Sequence, residues 1–457
     1  MGKKIIITSA LLIAAWAAGY VIVGNSSNIP EGSPAQKAKF ALNEAGCIMC
    51  HSKDFKLPFY ANIPLIGDIV KRDNAEGIKA YDITEAIKNI DADKPVSATD
   101  LAKIEYSIDT NSMPPFAYKI IHWKSNISSV ERKAIADWIK AERSKLNANS
   151  GISKDFANEP VWPIPTEVPF NKNKARLGSI LYHHTALSGD GTVSCATCHP
   201  IDNAGVDALQ TSTGIRKQKG DINAPTVFNA VFNAKQFWDG REDTLEQQAG
   251  GPPMNPVEMD GGSWEKVASR LEADQAFKAD FLKEYPDGFT QKNITDAIAQ
   301  FERTLITPSS PFDKYLKGDA KALTAEQIKG YELFKAANCA VCHSGEALGG
   351  KTFEYMGLKR DYFKERGNVG KINDNGRFSF TKDERDLRKF KTPTLRNVAL
   401  TTPYFHDGST QSLKKAVEIM AKYQRDKNLS DEEIDYIVKF LESLTGEYKG
   451  KPLQIKK

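Results

Sequence analysis

The chain has 457 residues, of which 40% are apolar and 26% charged, with 62 basic and 58 acidic side chains. This length predicts about three domains, each able to bury a core. The composition excludes a disordered, collagen-like or polytopic membrane protein, and a net charge of +4 leaves no nucleic-acid footprint.

Met1 to Lys4 is basic and precedes nineteen uncharged residues, Ile5 to Val23. At 1.5 Å per residue this run spans about 28 Å, close to a bilayer's hydrocarbon thickness. It reads as an uncleaved transmembrane helix; Ala15-Trp16-Ala17 offers the alternative of a signal cleavage site. Residues 1–33 would then be cytoplasmic tip, anchor and tether, and the rest would be exported. The expected location is the inner membrane, single-pass, with the remainder in the periplasm.

All six cysteines fall in three copies of C-x-x-C-H, whose first cysteines are 148 and 144 residues apart. The motif recurs once per expected domain, which places boundaries at 34–150, 151–320 and 321–457. A helix-like stretch precedes each copy. Ser33-Pro34 opens one, Lys174 to Tyr182 forms another, and Thr324-x-x-Gln327 caps the third. Ser128-x-x-Glu131 starts a helix with Val130, Ala134, Ile135, Trp138 and Ile139 as its apolar face, and Ser430-x-x-Glu433 starts another. Four prolines between Pro160 and Pro169 read as an extended linker. No long alternating pattern suggests strands. The expected fold is mostly α: one N-terminal transmembrane helix followed by three c-type cytochrome-like haem domains.

C-x-x-C-H attaches c-type haem through two thioethers, and its histidine reaches the iron. A zinc site would need a second Cys or His pair nearby, which is absent. Three covalent haems are therefore expected on Cys47 and Cys50, Cys195 and Cys198, and Cys339 and Cys342. Their proximal ligands would be His51, His199 and His343.

The sixth ligands separate electron carrier from enzyme, because a haem that reacts with peroxide needs an open position. Met113, in Met-Pro-Pro-Phe before a terminal amphipathic helix, is placed as a small cytochrome c places its methionine. Met420 lies 77 residues beyond His343 and is equally readable as core packing, with His406 competing for the same iron. The middle motif has only Met254 and Met259 nearby, in a Pro- and Gly-rich loop, Gly250 to Asp260, that also carries Glu258. A carboxylate beside an open iron can move the peroxide proton, and Gln248 could hydrogen-bond the oxygens. Alone, Glu258 would read as a solvated loop charge.

From about Asn171 to Leu444 the sequence resembles the bacterial dihaem cytochrome c peroxidases. The matching blocks are residues 187–199, 223–232, 236–241, 248–252, 255–259, 390–398 and 403–408. They include Leu-Ser-Gly-Asp-Gly before Cys195, Gln-Phe-Trp-Asp-Gly-Arg, Phe-Lys-Thr-Pro-Thr-Leu-Arg-Asn-Val and Pro-Tyr-Phe-His-Asp-Gly. The resemblance implies that His199 holds the peroxidatic haem and that Glu258 and Gln248 are its distal catalytic pair. It gives His343 and Met420 to the electron-transferring haem, leaves His406 beside it, and puts Trp238 between the two haems. It also implies one calcium ion, at Asn223, Thr401 and Pro403. An anchor plus a third haem domain resembles the trihaem, membrane-anchored branch, which includes quinol peroxidases. The expected activity is reduction of hydrogen peroxide to water with electrons from quinol or a small cytochrome c, with a homodimer among the states left open.

Two departures stand out. Family members commonly carry a histidine that closes the peroxidatic iron, where this chain has Ile215. Their Phe-Phe-Asp-Pro-Arg is replaced by Tyr182-His183-His184-Thr185-Ala186, whose two histidines read as polar surface or as neighbours of a haem propionate rather than as ligands. The rival readings are a multihaem electron carrier and a dihaem enzyme that oxidises a protein substrate. The latter type has tyrosine where this chain has Met420.

Overall fold

The computed structural model describes residues 28–367 and 372–455, together with positions 14, 16, 18 and 20. Most of the expected anchor, Ile5 to Val23, lies outside the described residues. Among the described residues no helix is long and apolar enough to cross a membrane. The single-pass transmembrane helix and the inner-membrane location are corrected accordingly. Ser129–Leu146 reaches 18 residues but carries Glu131, Arg132, Lys133, Asp137 and Lys140, charges that hydrocarbon rejects. Tyr20, near the end of the apolar run, donates its hydroxyl to Asn126 Oδ1 at 2.9 Å.

The chain divides into two compact units, Met1–Ala148 and Asn149–Lys457. In the first, helix α1 (Pro34–Glu44) packs on α5 (Ser129–Leu146), with α2 (Cys47–His51), α3 (Ile66–Ala80) and α4 (Ala98–Asp109) between them in sequence. Both partners start at a capping box, Ser33 with Gln36 and Ser128 with Glu131, which satisfies backbone N–H groups that a helix start leaves open. Ala38, Ala41, Ile135, Trp138 and Ile139 form the core with Leu101 and Ile104. Val130 departs from the expected apolar face and is 56% exposed. It lies five residues before Ile135, about 140° round the helix.

The second unit contains two further helix pairs. Helix α6 (Lys172–His183) crosses α8 (Gln291–Glu302), with α7 (Leu245–Met254) against α8. Helix α9 (Ala325–Ala336) crosses α11 (Asp431–Glu442), with α10 (Leu413–Arg425) beside α11. Two glycines set these crossings. A Cβ on Gly178 would sit 1.8 Å from Ala297 O, and one on Gly330 would sit 1.9 Å from Tyr436 O. No side chain fits there without separating the helices. Three times, then, the helix before a C-x-x-C-H motif packs on a later helix of the same unit.

The stretch from Pro160 to Pro169 is not a free linker. Val161 and Ile164 are fully buried, Ile164 N donates to Asp313 Oδ1 at 3.2 Å, and Trp162 O accepts from Arg396 at 3.1 Å. The proline-rich backbone has few N–H groups to satisfy, so it can lie as a strap inside the core. Among the described residues strands are short. The relevant pair is β1 (Phe353–Tyr355) antiparallel to β2 (Lys389–Lys391), with Phe353 opposite Lys391.

Candidate active site

The three C-x-x-C-H segments share one local design. Gly46 and Asn338, both left-handed, end the preceding helices at Cys47 and Cys339, while Ser194 caps the turn at Cys195. Each motif histidine donates Nδ1–H to a backbone carbonyl: His51 to Tyr81 at 2.8 Å, His199 to Gly205 at 3.2 Å and His343 to Leu348 at 3.0 Å. A carbonyl only accepts, so the proton is on Nδ1 and Nε2 keeps a lone pair for iron. Burial pushes all three imidazoles down, toward the neutral ligand form.

The six thiols form no disulfide. Burial pushes Cys47 and Cys195 up to about 12 and Cys339 up to about 11, which opposes the thiolates that zinc requires. Among the described residues no group of three His, Cys, Asp or Glu could hold a metal ion. Paired neutral thiols next to a histidine with a free Nε2 fit covalent c-type haem.

In the C-terminal region a cavity of about 260 Å³ is lined by Cys339, Cys342 and His343 and also by Met420, which α10 carries. His406 lines the cavity too but is already engaged. Its Nε2 donates to Asp374 Oδ1 at 2.9 Å, and its ring stacks on Phe390 at 4.0 Å and stands edge-on to Trp238 at 6.4 Å. Trp238 lines the same cavity, and its Nε1–H donates to Asn223 O at 2.9 Å. Asn223 Nδ2 donates to Leu209 O and Gln210 O, so Oδ1 faces elsewhere, and Thr401 and Pro403 line the same cavity. Buried Met356 also lines it, thirteen residues beyond His343; sequence reasoning gave it no role.

The region of the middle motif is different. Met259 is buried and Met254 half-buried against an apolar core, away from any exposed position. Met254 ends α7, whereas the sequence suggested a loop from Gly250. The capping box of Thr244 and Gln247 starts the helix early enough to carry it through Pro252 and Pro253. Glu258 follows. Its Oε1 accepts from Asn255 Nδ2 at 2.8 Å. Burial pushes its carboxyl up, Arg241 pulls it down and Asp221 pushes it further up. The thiols of Cys195 and Cys198 both feel its charge, so the carboxylate stands near the second motif. Gln248 is half-buried on α7, and no hydrogen bond to its side chain is found among the described residues.

Ile215 is fully buried in the same core, and its N–H donates to Glu258 O at 2.8 Å. A Cβ on Gly214 would lie 2.1 Å from Val257 O. The loop that elsewhere in the resembling family brings a histidine is here fastened to the backbone of Glu258. His183 is exposed and donates to Ser179 O; His184 Nδ1 accepts from Ala186 N. Sequence reasoning missed Glu302, which ends α8. Burial raises it to about 8, its Oε2 has no hydrogen-bond partner among the described residues, and the Cys195 thiol feels its charge. Nothing in a helix-terminal glutamate marks it as buried.

In the first unit Met113 is half-buried in the turn after α4. The chain then passes the first motif: Tyr118 Oη lies 2.7 Å from where a Gly46 Cβ would be, and burial, with the Cys50 and Cys47 charges adding to it, pushes its phenol up. Met49 is engaged by Tyr60, whose hydroxyl donates to Sδ at 3.9 Å. His122 stacks on Tyr118 at 3.9 Å.

Known proteins match this arrangement. Residues 172–321 match a model described as di-haem cytochrome c peroxidase, 18–141 a haem-binding domain and 327–445 cytochrome c. Cytochrome c peroxidase Ccp of Escherichia coli (strain K12) is 49% identical over 409 residues, 89% of this chain and 87% of that protein. Cytochrome c551 peroxidase of Nitrosomonas europaea is 41% identical over 320 residues, 70% of this chain and 93% of that protein. Among solved structures, a MauG-like protein associated with microbial copper homeostasis aligns with a TM-score of 0.54 at 27% identity, covering 63% of this chain and 93% of its own. The helix pairs, the haem-type motifs and these relatives lead to one conclusion: the chain belongs to the di-haem cytochrome c peroxidase family and is a haem peroxidase with covalent c-type haem.

Proposed function

We propose that the protein carries three haems, one in each of the regions 34–150, 151–320 and 321–457, and reduces peroxide at the middle one. The observation that carries this is half-buried Glu258 beside the second motif, where the nearby methionines are spent on core packing and Ile215 stands in the closing loop. The overall reaction takes H2O2, two electrons and two protons to two waters.

Cys195, Cys198 and His199 would hold a haem that, when bound, would supply an electrophilic iron and the electrons that O–O cleavage consumes. The chain supplies the proton handling. Asn255 holds Glu258 Oε1, which leaves Oε2 to take a proton from one peroxide oxygen and return it to the other, so that water leaves. Burial keeps that carboxyl basic enough to accept the proton. Gln248, with its amide uncommitted, orients the oxygens. His199 is held in its ligand tautomer by Gly205 O.

Electrons arrive through the other two regions. His343 and Met420, which line one cavity, would hold the haem of Cys339 and Cys342, and His51 with Met113 would hold that of Cys47 and Cys50. Trp238, which lines the C-terminal cavity and donates to Asn223 O, would carry electrons from there toward the middle haem. Asn223 Oδ1 with the carbonyls of Thr401 and Pro403 offers oxygen ligands suited to calcium beside that path. The donor is a small cytochrome c or a quinol. Mass spectrometry of the three motif peptides should find one haem on each. Peroxide turnover with reduced cytochrome c and with reduced quinol should then identify the donor. A motif peptide without haem contradicts the three-haem reading, and the absence of turnover with either donor contradicts the electron path.

A further inference from the structure

Near the C-terminal cavity Arg396 and Lys351 are paired with care, whereas Lys391 is not. Arg396 has no exposure and is fully engaged: Asp313 Oδ1 lies at 2.8 Å, and it donates to Glu346 O, Ser310 Oγ and Trp162 O. Lys351 donates to Glu346 at 2.6 Å and to Phe232 O at 2.8 Å. Lys391, five residues before Arg396, is only 7% exposed. Yet among the described residues its Nζ makes no hydrogen bond or ion pair. The one carboxylate whose charge reaches it, Asp239, is held by Arg241 at 3.0 Å. Burial pushes Lys391 down to about 7.

An unpaired buried ammonium is strongly unfavourable, so a buried lysine implies a partner. The position of Lys391 says what kind. It ends β2 opposite Phe353 and lines the cavity shared by Cys339, Cys342 and His343. The flanking walls include Phe390, Trp238 and Met356, which offer no anion, and Glu354, which accepts from Thr352 Oγ1 at 2.7 Å and whose charge is not among those that reach Lys391. The group bound to those cysteines brings two anions of its own, its propionates. We propose that Lys391 Nζ is the counter-ion of a propionate on the haem carried by Cys339 and Cys342, and that this pair sets that haem's reduction potential. The inference rests on the haem assignment made above. It also adds a mechanical link: Lys391 N donates to Trp238 O at 2.8 Å, so the residue that holds the propionate also holds the backbone of the tryptophan on the electron path.

The sign follows from charge. A propionate left unneutralised favours the ferric state, so losing the ammonium lowers the potential. Every substitution keeps the backbone bond to Trp238, and a merely structural role of β2 would leave the potential unmoved. The test is potentiometric titration of the haem-loaded protein with Lys391→Gln and Lys391→Met. The ferric-to-ferrous equilibrium of the His343 haem should move about tenfold toward ferric, 59 mV for one electron. Lys391→Arg should stay within about threefold of wild type, and the haem of the first unit should not move. Lys391→Met should lower the melting temperature of the loaded protein. An unmoved potential in both neutral variants overturns the proposal. So does a raised melting temperature in Lys391→Met, the sign expected when an unpaired buried charge is removed. Absence of haem from the Cys339–Cys342 peptide overturns the haem assignment, and this pair with it. An unmoved potential with that haem present overturns the pair alone.

Discussion

The middle and C-terminal motifs begin alike and end differently. Both put a neutral imidazole, tied by Nδ1 to a carbonyl, beside two half-buried cysteines. Around His343 the chain then adds a thioether, Met420, facing the same cavity. Near Cys195 it adds an acid, Glu258, and turns Met254 and Met259 into the core. On the reading proposed above, one proximal design would serve an iron closed for electron transfer and an iron open for chemistry. The difference is made by what the later loops deliver, since the motif itself is constant.

The largest expected effect breaks the acidic side of this comparison. Glu258→Gln should keep haem content and lose about 10²–10⁴-fold in peroxide turnover, the usual range for a lost acid–base group. Steady-state kinetics check it, and turnover within threefold of wild type removes Glu258 from the mechanism. The stability of this variant has its own sign. A carboxyl whose folded pKa is raised stabilises the fold below its unfolded value and loses that contribution as pH rises through the folded value. The neutral amide should therefore not lower the melting temperature at pH 7.

Met420→Ala attacks the other side. It should convert the His343 haem to high spin and lower its potential, because thioether ligation favours the ferrous state. A low-spin spectrum that persists in the variant would assign the ligand to Met356, which lines the same cavity.

A smaller effect sharpens the account of Glu258. The carboxylate must be ionised to accept the peroxide proton, so kcat/KM should fall as pH drops through its raised pKa. Arg241 is the cation that opposes that rise. Arg241→Gln should move the acid limb to higher pH. A limb that stays in place would mean that another group titrates there.

Much of this was legible in the sequence, for identifiable reasons. Covalent attachment needs two cysteines and a histidine at fixed spacing, so Cys47, Cys195 and Cys339 announce themselves. Ser33, Ser128, Thr324 and Ser430 are short-range capping signals and start helices where the pattern says. What depends on distant partners was hidden. Val161 and Ile164 looked like linker because their burial is supplied by residues near 313 and 396. Lys391 lay inside a recognised block, yet basic residues read as surface until the cavity around them is seen. The apolar run at the N-terminus matched a span in length and charge, but no helix able to cross a membrane stands among the described residues.

The contrast between an open and a closed iron is tested most directly by electron paramagnetic resonance of the ferric protein as isolated, with peroxide added before any reductant. Ile215 cannot bind iron and its loop is fastened to Glu258 O, so no displacement should have to precede peroxide entry. A high-spin ferric signal that responds at once to peroxide, beside low-spin signals that do not, is the predicted result. Low-spin signals alone, becoming reactive only after reduction, would contradict it.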